Sequence, residues 1–138
     1  MTMYRVFLVV LLMMFWGCKN DINPSELHLL NGYWKIEFIT HNNETFYPKG
    51  EAQLLDFYEF DQQGGVRKKV QPKWDNTYSV TNDQNQFKLL LEEKACYLQF
   101  RTLWDEWRER IIAVDEKKLI LEHQEKRYHY TRYQNTNR

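Results

Sequence analysis

KKLILEHQEKRYHYTRY, residues 117–133, decides the fold. Two alternating runs flank a polar centre, with Leu119 and Leu121 in one and Tyr128 and Tyr130 in the other. Strict alternation of apolar and polar residues is the signature of a half-buried strand. A turn at Glu125-Lys126 would pair Gln124 with Arg127, Leu121 with Tyr130 and Leu119 with Arg132. Leu119 and Leu121 require burial, so this face of the hairpin points inward and takes Arg132 with it.

The same period recurs outward from this hairpin. Nine runs carry it, at 33–40, 54–61, 66–70, 77–81, 86–92, 95–102, 106–114, 118–124 and 127–133. Gln63-Gly64-Gly65, Glu92-Glu93-Lys94 and Asp115-Glu116-Lys117 read as turns between them. Before the first run, 25–31 reads as a short helical turn capped by Ser25. No helix of crossover length separates the strands, so the sheet is antiparallel. Sequential hairpins that close on themselves form an up-and-down barrel, which removes exposed edges. Antiparallel closure needs an even number of strands. Eight to ten are therefore expected, with two runs merging into one strand bent near Pro72 or one strand unread. A two-sheet sandwich satisfies the same spacing.

The amino terminus has a different character. Arg5 is the single charge before an unbroken apolar run, 6–16. That run is about half the ~20 apolar residues a spanning helix needs. A short apolar core behind one positive charge and ahead of a small residue fits a secretory signal, 1–17. Phe15-Trp16-Gly17-Cys18 resembles the lipobox of bacterial lipoproteins. That resemblance implies cleavage between Gly17 and Cys18, a thioether-linked diacylglycerol on the Cys18 sulfur and an acylated amino terminus of palmitate type. Several acyl chains anchor far more durably than one. Lys19, Asn20 and Asp21 are similar to the charged tag behind the lipidated cysteine in Bacteroidetes-type lipoproteins. The implied address is the bacterial cell envelope, lipid-anchored at the outer membrane. Residues 18–31 then form the tether and helical turn, 32–133 the barrel and 134–138 a polar tail.

Gly32-Tyr33-Trp34 opens the first strand. It resembles the Gly-x-Trp opening of lipocalins, whose tryptophan plugs the closed end of the barrel under a basic residue from the last strand. The resemblance implies that Arg132 covers Trp34 and that the barrel is lipocalin-like. The segment as a whole is similar to lipocalin-like lipoproteins of Bacteroidetes-type bacteria.

The chain has 138 residues with 19 basic and 19 acidic side chains. Without the 17-residue leader, and so without Arg5, 121 residues remain with a net charge of −1. Such a balance gives no electrostatic reason to expect nucleic acid as a partner. With Cys18 lipidated, Cys96 is left alone, alternating with Leu98 and Phe100 as a small core residue. No nucleophile elbow, phosphate loop or metal-ligand spacing is present, so no catalytic residue, metal or cofactor is expected.

Binding candidates remain. Phe46 and Tyr47 lie in the long loop 42–51, where they would gate a ligand mouth or pack on its rim. Arg67 and Lys69 share one face of their strand and Lys68 takes the other. Such charges form a solvated face, or an anion site at the mouth. Trp104 and Trp107 flank two acids at a turn and suggest a partner patch, with Trp107 packed inward as the alternative. The expected function is non-catalytic binding of a small apolar or amphiphilic ligand. The competing expectation is a docking subunit of an envelope protein complex with a filled barrel.

Overall fold

The computed structural model describes residues 22–49 and 54–134; Gly17 and Cys18 lie outside the described residues. A 3-10 helix, Pro24–Leu30, comes first. The fixed φ of Pro24 suits the first helical position, and the Asn23 side chain accepts from the Ser25 N–H at 3.1 Å. Asn23, not Ser25, is therefore the cap. Nine strands follow among the described residues: β1 (Gly32–His41), β2 (Glu44–Phe46), β3 (Leu55–Phe60), β4 (Gly64–Pro72), β5 (Tyr78–Glu92), β6 (Ala95–Arg101), β7 (Glu106–Val114), β8 (Lys118–His123) and β9 (Lys126–Arg132).

β1 and β3 to β9 pair antiparallel in sequence order, and β9 returns to β1. The result is a closed eight-stranded up-and-down barrel, with β2 a ninth strand paired to β1. One sheet closed on itself rules out a sandwich. The runs 77–81 and 86–92 are a single strand, β5, while β2 falls in a stretch that reads as loop. Pro72 ends β4 and bends nothing.

The final hairpin turns one residue earlier than the sequence suggests. Gln124 and Glu125 adopt φ of 50° and 64°, the left-handed pair that a tight hairpin turn requires. Leu119 therefore faces Tyr130 and Leu121 faces Tyr128. Arg132 passes the end of the ladder and gives its backbone N–H to the Lys117 carbonyl at 2.8 Å. The slip is two positions in register, so every side chain keeps its expected face.

Two register shifts do change faces, between Ile36 and Phe38 and between Ile111 and Ala113, whereas the shift between Lys68 and Val70 is of two residues and keeps them. A bulge inserts one residue against the partner strand and breaks alternation. Ile36 stays inward against Tyr130, but Phe38 pairs with His129 on the outer wall, its ring stacked 4.3 Å from the imidazole. Phe38 is thus not the core residue that alternation implies. Leu91, in step with Phe87 and Leu89 and paired with buried Cys96, is nevertheless 61% exposed near the end of β5.

The core is aromatic and tightly closed at one end. Trp34, Tyr58, Leu98, Phe100, Ile111, Leu119 and Leu121 are buried inside the barrel, with Leu27 and Leu30 of the helix beneath them. Cys96 is buried too, and burial pushes its thiol pKa up to about 11, which suits an unreactive core residue. Gly64 and Gly65 belong to β4 and not to the turn before it. A Cβ on Gly65 would stand 2.1 Å from the Glu59 carbonyl oxygen, so the strands could not approach as they do.

Candidate functional site

Paired residues of an antiparallel ladder share a face, which fixes what the barrel interior contains. Tyr58 is buried inside, so its partner Arg67 is inside. Trp34 carries Asp56 inward, and Asp56 carries Lys69. Leu98 carries Glu109 inward, and Phe100 carries Trp107. Asp56, Arg67, Lys69 and Glu109 thus enter the interior, with Asn85 opposite Arg67 and Arg132 over Trp34 at the closed end.

The first four form two ion pairs. Arg67 Nη1 donates to both Glu109 carboxylate oxygens, at 3.0 and 2.9 Å, and lies 3.4 Å from the Tyr58 hydroxyl. The guanidinium sits 4.2 Å above the Phe100 ring, which stacks on Trp107. Trp107 Nε1 donates to Glu109 at 3.1 Å. Lys69 Nζ stands 2.5 Å from Asp56 Oδ1. Burial works against the Arg67 charge, but Tyr58 and Glu109 more than offset it and hold its pKa above the ordinary value. Burial likewise raises the Tyr58 and Tyr130 hydroxyls, so both remain neutral donors.

Arg67 and Lys69 therefore share a face, as alternation implies, but that face is internal and already paired with carboxylates. It is not a solvated wall, and neither cation is free to serve as an unpaired anion site. Glu109, Asp56 and Tyr58 escape the sequence reading. A signal existed: Glu109 sits two residues from both Trp107 and Ile111, a charge in step with an apolar face. Asp56 is in the same relation to Tyr58.

The loop candidates separate. Phe46 pairs with Ile39, which pairs with Tyr128 of the inner face. Phe46 therefore turns toward the interior at the end opposite Trp34, half-exposed at the rim. Tyr47 lies against Phe38 on the outer wall, ring centroids 6.0 Å apart. The tryptophans separate too. Trp107 packs inward, whereas Trp104 is 93% exposed, beside equally exposed Leu103. Trp74, in the connection between β4 and β5, is 91% exposed and was not singled out in the sequence.

At the closed end, Arg132 Cζ lies 4.2 Å from the centroid of the Trp34 ring. Arg132 also donates to the carbonyls of Leu29, Asn31 and Glu116, at 2.7 Å for Asn31 and 2.6 Å for Glu116. Trp34 Nε1 donates to Leu30 at 2.8 Å. Gly32, at φ 122°, leaves room for Arg132, since a Cβ there would stand 2.7 Å from Arg132 Nη1. This end is sealed by cation, indole and helix together. An open groove of about 1050 Å³ on the outer side of β4, β5 and β6 is lined partly by Glu59, Lys88, Gln99 and Arg101. It contains none of the candidates above.

No family model and no curated protein matches the chain. Solved structures to which it is similar include a lipocalin-like protein from Bacteroides uniformis, 9% identical, covering 76% of this chain and 99% of that one at a TM-score of 0.47. Another is an uncharacterized protein from Bacteroides eggerthii, 10% identical over 75% of this chain and 99% of that one, TM-score 0.47. Lobster apocrustacyanin A1 is 16% identical over 86% of this chain and 73% of that one, TM-score 0.45. The barrel assignment stands on the strand register and not on these likenesses.

Proposed function

We propose that the chain is a lipid-anchored, non-catalytic binding protein of the bacterial envelope, lipocalin-like, that admits a small apolar or amphiphilic ligand at the end of the barrel opposite Trp34. One observation carries the reading: Arg67, Glu109, Asp56 and Lys69 turn into a barrel that a purely structural role would fill with apolar side chains. Buried ion pairs are weak contributors to stability and are often matched or bettered by apolar residues. Their presence inside asks for something to be recognised there. Anchoring rests on the Gly17-Cys18 junction and the outer-membrane address on the residues that follow it.

The test is direct. Residues 22–134 close their own core, so a mature chain starting at Lys19 should fold without its lipid. It should bind the neutral fluorophore N-phenyl-1-naphthylamine saturably and at one site per chain. A linear, unsaturable signal would defeat the reading.

A second reading, docking on an envelope protein, is favoured by Trp74, Leu103 and Trp104, each more than 90% exposed. Trp is among the residues that dominate interface energetics when covered. If docking is the role, Trp104→Ser should abolish co-purification of a partner from detergent extracts without changing fluorophore binding.

A further inference from the structure

The charges of Arg67, Lys69, Asp56 and Glu109 cancel, but their hydrogen bonds do not. Arg67 serves Glu109 and Tyr58 through one nitrogen, Nη1. Its Nε and Nη2 donate to no acceptor among the described residues, while Phe100 covers a face of the guanidinium. Asp56 is 3% exposed, and its Oδ1 meets Lys69 Nζ without the geometry of a hydrogen bond. Among the described residues neither nitrogen is a buried atom left without a partner, so both can be reached, and a guanidinium fork has a fixed direction in which an incoming acceptor would lie. Charge decides what that acceptor is. A carboxylate would be a third anion against two cations in a medium that screens poorly, and an amine a third cation. An uncharged oxygen leaves the cancellation intact.

We infer that the ligand is an amphiphile whose polar group is a neutral oxygen acceptor, a ketone, ester or alcohol, bonded by Arg67 Nε and Nη2, with its chain running toward Phe46 and Trp107. This rests on the ligand-binding reading above and specifies its chemistry. Tyr58, neutral because burial raises its pKa, adds a hydroxyl that can donate to the same oxygen.

The experiment displaces N-phenyl-1-naphthylamine from the chain starting at Lys19 with octane, 2-octanone, octanoate and octylamine. The ketone should displace about tenfold better than each of the other three, as expected for one well-placed charged donor. The pair Arg67→Met with Glu109→Gln should reduce the ketone to the level of octane. Should the double variant fail to fold, the bound ketone itself reports. The carbonyl stretch of carbonyl-¹³C-labelled 2-octanone should move to lower frequency than in hexane when bound to the unmodified chain. Preference for octanoate or octylamine, equal displacement by octane, or an unshifted carbonyl would each overturn the inference while leaving ligand binding standing. Failure of the fluorophore to bind at all would overturn both.

Discussion

Arg132 joins three parts of the chain. Its guanidinium covers the Trp34 indole and donates to carbonyls of the helix end and of the β7–β8 turn. Arg132→Ala should cost about 2–3 kcal/mol, combining charged hydrogen bonds with a cation–π contact. Trp34→Ala should cost roughly 3–5 kcal/mol, because a large core side chain disappears. In contact, the two should not add, and denaturant unfolding of both single variants and the double should give a coupling of about 1 kcal/mol. Gly32→Ala should destabilise twice over, through its positive φ and by pushing on Arg132. With Arg132→Ala already present, only the backbone strain of Gly32→Ala should remain, and the difference between the two backgrounds measures the clash.

Among the elements, β1 shows why sequence carries some faces and not others. Trp34, Ile36 and Arg132 were legible from alternation and a hairpin. Phe38 was not, because the bulge between Ile36 and Phe38 leaves no mark in residue type. The turn at Gln124 and Glu125 was misplaced for a related reason: it adopts left-handed backbone without the Gly, Asn or Asp that announces one. The register error it caused was even, and so harmless to every inside–outside assignment. The interior ion pairs were missed because charges in a strand read as solvated until the partner strand is known. The same bulge separates two neighbouring aromatics. Phe46→Ser should weaken fluorophore binding several-fold, as about one large apolar contact is lost, whereas Tyr47→Ser should leave it unchanged. Equal effects would place both at the mouth. The bulge also sets His129 on the outer wall beside Phe38, where burial first and the Arg127 charge second lower its pKa. The unfolded chain then takes up the proton more readily, so this stability is complete above about pH 6.5 and declines as pH falls toward the folded value. The urea midpoint should drop between about pH 7.5 and 5, and His129→Gln should flatten part of that drop.

At the scale of the molecule, the helix Pro24–Leu30 and Trp34 seal one end of the barrel and the Phe46 rim lies at the other; the proposed anchor on Cys18 is tested separately. Cys18→Ser should abolish labelling by an alkynyl fatty acid and leave an unprocessed precursor on immunoblots. Persistent labelling would refute the anchor.

Because β1 and β9 are neighbours in space and the furthest apart in synthesis, the barrel has no closed form until its final residues have been made. Until then β1 lacks the partner it meets from Trp34 to Thr40, and Trp34 lacks its cover. Contacts between chain ends are the slowest to form. A chain still being made is thereby an open sheet with one edge waiting, and the plug at Trp34 is completed in the same event as the wall.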